Sequence, residues 1–117
     1  MRAAAKVATS EQARQKAVQD AFEESQALDR ASNAVIDLVH TGKLDAAEQA
    51  AQELLVRYPE MPDGHERLGM VYEARGDHSR AADCYRKVVE FIRAHPDNFD
   101  PQYEQFLLSK LDPPTTD

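Results

Sequence analysis

The side chains able to do chemistry in this chain are few and far apart. A zinc site on a helix commonly uses two histidines four residues apart, because that spacing places both rings on one face. No two histidines here have that spacing; they are His40, His65, His78 and His95. We therefore expect no metal site and no bound cofactor.

Cys84 is the single cysteine of the chain. A nucleophilic thiol needs a base and an orienting group close to it, and His78 and His95 lie too far along the same predicted helix to reach Cys84. The glycines lack the spacing of a phosphate-binding loop; they are Gly42, Gly64, Gly69 and Gly76. These observations favour a protein that is not an enzyme. Because a single cysteine cannot form an internal disulfide, we expect a reducing, cytoplasmic location.

Acidic residues outnumber basic ones by 21 to 14, which gives a net charge of -7 at neutral pH. Nucleic-acid binding depends on clustered lysine and arginine, and since the sequence has no basic run, we expect no nucleic-acid partner. No stretch approaches the ~18 consecutive apolar residues of a membrane-spanning helix, and the first residues lack the apolar run of a signal peptide. We therefore expect neither membrane insertion nor export.

The chain of 117 residues, enough for one domain, repeats itself at an interval of 34 residues. Positions that coincide at this offset include Ala34 with Leu68, Leu38 with Tyr72, Gly42 with Gly76, Ala47 with Ala81, Ala51 with Tyr85 and Leu54 with Val88. A glycine such as Gly42 or Gly76 can adopt the left-handed conformation that ends a helix. Small residues such as Ala47 and Ala81 let two antiparallel helices approach closely. Each copy therefore predicts a helix, a tight turn and a second helix.

At these positions the sequence resembles the tetratricopeptide repeat (TPR) family. The second copy fills the family's signature, with His65 in the leading aromatic slot followed by Leu68, Gly69, Tyr72, Gly76, Asp77, Ala81 and Tyr85. The first copy is more degenerate and keeps Leu38, Gly42, Ala47, Leu54 and Pro59. The resemblance covers residues 31–97 as two repeats, 31–60 and 62–96. It implies an all-α fold of TPR-like antiparallel helix hairpins, an α-solenoid with five to six helices.

Short capping signals predict where helices begin. Three pairs match the capping box, in which the first residue caps a helix and the second lies three positions on: Thr9 with Gln12, Asp45 with Glu48, and Asp63 with Glu66. Asp100 before Pro101 predicts the start of a last helix within residues 98–117. The predicted apolar face of that helix consists of Tyr103, Phe106, Leu107 and Leu111. We expect it to cap the repeats and the final residues 112–117 to form a short disordered tail.

Residues 1–30, the N-terminal arm, precede the repeats without any glycine or proline to mark a boundary. A seven-residue apolar pattern runs from Val18 through to Val39, in the first repeat. Two interpretations follow, namely two helices joined near residues 29–33, or one continuous helix over about residues 10–41. A continuous helix would leave apolar side chains of the arm in need of a second chain, which predicts a homodimer. The residues expected to self-associate are Val18, Ala21, Phe22 and Leu28.

The TPR resemblance also implies a groove lined by the first helix of each repeat. We define the groove by six of its residues: Ile36, Val39, His40, Glu66, Met70 and Glu73. Its apolar floor and acidic rim predict binding of a basic or amphipathic helical protein segment. A clamp for a peptide's C-terminal carboxylate is disfavoured, because the acids of Glu66 and Glu73 repel such a group. An alternative is that the protein's own N-terminal helix covers the floor.

These features together predict a non-catalytic, cytoplasmic adaptor that binds a protein or peptide segment, or itself, through a TPR groove. Two alternatives remain open at the level of sequence. The first is a secretion-chaperone-like protein, since such chaperones are acidic and contain these repeats. The second is a non-catalytic subunit of an enzyme complex.

Overall fold

The computed structural model describes the backbone of residues 2–111 and the side chains of residues 10–111. This part of the chain is all-helical, which confirms the predicted fold class. Its elements in chain order are α1 (Arg2–His40), α2 (Leu44–Arg57), α3 (Asp63–Arg75), α4 (His78–Ala94), a 3₁₀ turn (Pro96–Asn98) and α5 (Pro101–Leu111). The tail predicted at residues 112–117 lies outside the described residues.

Of the two interpretations of the N-terminal region, the structure has the single helix, α1, which runs from Arg2 to His40. The helix start predicted at Thr9 is therefore wrong, because α1 begins seven residues earlier. The chain divides into two compact units, one up to Arg30 and one from Ala31 onward. The second unit contains the repeats.

The two repeats end their first helices with the same hydrogen bonds. The Gly42 N–H donates to the Val39 carbonyl at 3.1 Å, and the Gly76 N–H donates to the Glu73 carbonyl at 3.0 Å. The next residue in each case donates to a carbonyl five residues back, from Lys43 to Leu38 and from Asp77 to Tyr72. Both glycines have positive φ, 76° and 80°, which a residue with a Cβ adopts only at a cost. The backbone conformation that ends the first helix of each repeat therefore recurs after 34 residues, as the sequence does.

Packing between successive helices follows the repeat pattern, with α2 against α3, α3 against α4, and α4 against α5. The small residues Ala47 and Ala81 are both buried, as the repeat predicted. A core cluster joins α4 to α5 and comprises Ala81, Tyr85, Val88, Val89, Ile92 and Leu107. Gly69 permits the close approach of α3, because a Cβ there would lie 2.7 Å from Cε1 of the Tyr85 ring. The large ring of Tyr85 therefore packs on a bare patch of helix backbone.

Two of the predicted capping boxes are wrong in the structure. Helix α3 begins at Asp63 itself, so this residue lies inside the first turn and cannot cap it, and no side chain caps α2 either. Asp45 instead binds the guanidinium of Arg75, with 2.6 Å between Oδ1 and Nη2. The side-chain cap that the sequence analysis missed is Asp77, whose carboxylate accepts from the Arg80 N–H at the start of α4.

The last helix, α5, begins as predicted. Asp100 accepts a hydrogen bond from the Gln102 N–H at 2.8 Å, and Pro101 is the first helical residue. Leu107 is fully buried in the core cluster, and Tyr103 is half-buried. Phe106, however, was expected on the covered face and is 53% exposed, because it lies one position before Leu107 and thus about 100° around the helix.

A substitution at Ala81 tests the repeat packing. Ala81→Leu places three extra carbon atoms where α4 packs tightly in the core, and we expect the free energy of unfolding to fall by about 1–3 kcal/mol. Ala46→Leu makes the same change at an exposed position of α2, and we expect it to leave stability within about 0.5 kcal/mol. Urea denaturation measures both. Equal effects of the two substitutions would show that Ala81 does not lie at a tight crossing.

Candidate functional site

Two polar contacts connect the first helices of the repeats to each other and to the capping helix. The Ser32 hydroxyl of α1 accepts a hydrogen bond from Nε of Arg67 in α3 at 2.7 Å. The ammonium group of Lys110 in α5 donates to Oε2 of Glu73 in α3 at 3.1 Å. These two hydrogen bonds therefore link residues 31–40 of α1 and helix α5 to helix α3.

The Arg67 guanidinium is the centre of the first contact. Its Nη1 lies 3.2 Å from Oε1 of Glu66 and 3.1 Å from the Met70 sulfur. Ser32, on the other side, is only 2% exposed. Burial raises the pKa of Glu66 above its usual value, an effect that the positive charge of Arg67 opposes and the neighbouring Asp63 strengthens. Glu66 is thus a paired and partly desolvated acid.

Glu73 is the centre of the second contact. One of its carboxylate oxygens accepts a hydrogen bond from the Tyr85 hydroxyl of α4, and the other accepts from Lys110 of α5. The pKa of Tyr85 is raised well above its usual value, first because the ring is buried and then because the neutral hydroxyl donates to Glu73. The Glu73 carboxylate therefore connects three helices.

The groove residues differ in exposure. The three apolar ones, Ile36, Val39 and Met70, are half-buried, and His40 is exposed. The expected acidic rim has to be corrected. Glu66 and Glu73 each have a cationic partner within the chain, so the negative charge of both side chains is balanced. Binding by these six residues stays a prediction.

Sequence reasoning missed Arg67 and Lys110, the two cations of the surface. A signal for them existed in the repeat itself. The Ser32–Arg67 and Glu73–Lys110 pairs are separated by 35 and 37 residues, close to the 34-residue period. Side chains on equivalent faces of successive first helices meet at such separations.

The four arm residues expected to self-associate fall into two groups. Val18 and Phe22 are 68% and 57% exposed, and Ala21 is exposed as well. Leu28 is only 8% exposed within the single chain. Self-association through these four residues stays a prediction, with Leu28 the least accessible of them.

Two titratable groups outside the groove have shifted pKa values. Burial raises the pKa of the Cys84 thiol, and burial together with Lys87 lowers the pKa of His65. A thiol with a raised pKa carries little nucleophilic thiolate at neutral pH. Within residues 10–111, no three His, Cys, Asp or Glu side chains come together as a metal site requires.

A family model described as "Tetratricopeptide repeat" matches residues 32–99, which is 68 of the 117 residues. The match confirms the resemblance drawn from the sequence. Comparisons with curated proteins and with solved structures gave no match. Across the helices of residues 2–111, none combines the length and the apolar character needed to cross a membrane.

The Tyr85–Glu73 contact makes a prediction about stability and its dependence on pH. Tyr85→Phe removes a hydrogen bond to a charged group, and we expect it to lower the free energy of unfolding at pH 7 by about 1.5–3 kcal/mol. Because the folded pKa of Tyr85 lies above the unfolded value of about 10, this stabilisation is complete below pH ~10 and declines above it.

Urea denaturation at pH 7 and at pH ~11 measures both effects, and the difference between wild type and Tyr85→Phe should be smaller at the higher pH. Tyr103→Phe, at a half-buried ring of α5, is the matched control and should cost less than about 0.5 kcal/mol. A cost for Tyr85→Phe that is no larger than the control's would show that the hydroxyl contributes nothing to the fold.

Proposed function

Because the chain belongs to the tetratricopeptide repeat family, we propose that it is a non-catalytic adaptor that binds an amphipathic helical segment of another protein through the groove. Repeats of this family generally mediate protein–protein interaction and are typically non-catalytic. The observation that carries the proposal is the pair of contacts that connects the first helices to each other, through Ser32–Arg67, and to the capping helix, through Glu73–Lys110. A surface that is already ordered loses less entropy on binding than a mobile one.

The chemistry of the groove favours an apolar contact over an ionic one. Ile36, Val39 and Met70 remain partly exposed although they are apolar, so a partner that covers them removes apolar area from water. Glu66 and Glu73 are each neutralised by a cation of the same chain. An apolar helix face therefore suits the groove better than a strongly charged peptide.

Electrostatic attraction acts on a partner at longer range than the apolar contact does. The whole chain carries a net charge of -7, which accelerates the approach of basic partners and repels acidic ones. We therefore propose that lysine or arginine flanks the apolar face of the bound segment. A cytoplasmic location is part of the proposal and is supported by Cys84, a buried free thiol.

A synthetic peptide tests this assignment directly. The probe is an amphipathic helix of about four turns with leucine on one face and lysine on the other, the groove-binding geometry of helical ligands. On titration into the labelled protein, we expect NMR shift changes centred on the methyl groups of Ile36, Val39 and Met70. A second peptide with glutamate in place of lysine should bind more weakly, with the difference shrinking as salt is added.

Two valine substitutions provide the matched comparison. Val39→Lys places a charge in the groove and should weaken peptide binding by about tenfold or more. Val56→Lys makes the same change at an 81% exposed site of α2 and should alter binding by less than about twofold. If Val39→Lys lowers the melting temperature, Met70→Gln, which conserves side-chain length, replaces it. Shift changes centred on Phe106, or equal effects of the two lysines, would contradict the groove assignment.

A further inference from the structure

The N-terminal arm contains a long run of exposed helix. Every residue from Ser10 to Gln26 is exposed, although all of them lie inside α1. Helices in proteins obtain most of their stability from packing one face against something else. The side-chain hydrogen bond described in this run joins two of its own residues, with the Gln19 amide donating to Glu23 at 3.0 Å. A packing partner for this stretch therefore has to come from outside the arm.

One face of the run is suited to close packing against a second helix. Val18, Ala21, Phe22 and Ser25 follow the i, i+3, i+4, i+7 spacing and so share that face. Two of these residues are large and apolar, and two are small. A face of this kind can pack on a copy of itself, since large residues of one helix then fit over small residues of the other.

Basic and acidic residues lie in different halves of the arm. This separation favours one direction of pairing between two arms. Residues 2–16 contain four basic residues and one acidic residue, whereas residues 17–29 contain four acidic residues and no basic one. The helix dipole does not explain this arrangement, because it favours acidic residues in the first turn and α1 has none there. Two parallel arms place like charges side by side, and two antiparallel arms place the basic half of each beside the acidic half of the other.

We propose that residues 14–29 of α1 pair antiparallel with the same segment of a second copy of this chain. Ala21 and Phe22 lie at the two-fold axis and pack on the same two residues of the other copy. This register places Val18 of each copy opposite Ser25 of the other. It also brings Arg14 of each copy to Asp29 of the other, and both of these side chains are exposed. The interface is independent of the groove and of the peptide-binding function proposed for it.

A matched pair of phenylalanine substitutions tests whether the arm is the interface. Phe22 and Phe106 are about equally exposed, at 57% and 53%, on different helices. Sedimentation velocity on the full chain at about 50 μM, a concentration chosen for a micromolar affinity, should give a dimer for wild type and for Phe106→Ser. Phe22→Ser should give a monomer that still unfolds cooperatively on heating. A wild-type monomer at this concentration, or a Phe106→Ser monomer, overturns the proposal.

Charge reversal then tests the antiparallel direction. Arg14→Glu alone and Asp29→Arg alone each create like-charge contacts, and each should raise the dimer dissociation constant by about tenfold. The double variant Arg14→Glu with Asp29→Arg restores opposite charges only if the two residues meet between chains. Its dissociation constant should return to within about threefold of wild type. If the two effects simply add, the arms do not pair in this register and the proposal is wrong.

Discussion

The repeat unit of this protein depends on one carboxylate, that of Glu73. It accepts a hydrogen bond from Tyr85 of α4 and another from Lys110 of α5 while belonging to α3, so three helices meet at a single side chain. The contact between Tyr85 and Glu73 also depends on the backbone of α3. The Tyr85 ring reaches Glu73 across α3 only because Gly69 has no Cβ, which would otherwise lie 2.7 Å from the ring. A half-buried acid without partners is destabilising, whereas the two donors here convert it into a fixed junction.

Ion pairing of this kind also determines the charge of the groove. Since Glu73 is bound by Lys110 and Glu66 by Arg67, the acids that a sequence alone assigns to an acidic rim have their charge balanced within the fold. What remains available to a partner is the apolar part, represented by Met70. The Glu73–Lys110 pair thus joins α3 to α5 and also balances the charge of one groove acid, as the Glu66–Arg67 pair within α3 does for the other. Long-range charge from the rest of the chain acts on approach and not on contact.

The sequence predicts the parts of the structure that are determined locally. Gly42 and Gly76 end their helices with equivalent bonds because a positive φ is strongly restricted for other residues, and a restriction of this kind can be found from residue type alone. The Glu73–Lys110 pair has a separation of 37 residues, close to the repeat period, but residue type alone does not identify it, since many other carboxylates could have met that lysine. Asp63 shows a further limit. Residue type predicts that an acid belongs near a helix start, but the packing of the whole helix decides whether it becomes the cap or lies in the first turn.

A double-mutant cycle at the Glu73 junction tests this account most directly. Tyr85→Phe and Lys110→Met each remove one donor, and the free energies of unfolding of wild type, both single variants and the double variant are measured by urea denaturation. If both donors act through one carboxylate, the effects are coupled, and the double variant should differ from the sum of the single ones by about 0.5–3 kcal/mol. Effects that add to within about 0.3 kcal/mol, as they do for distant and independent sites, would contradict the claim that Glu73 connects the three helices.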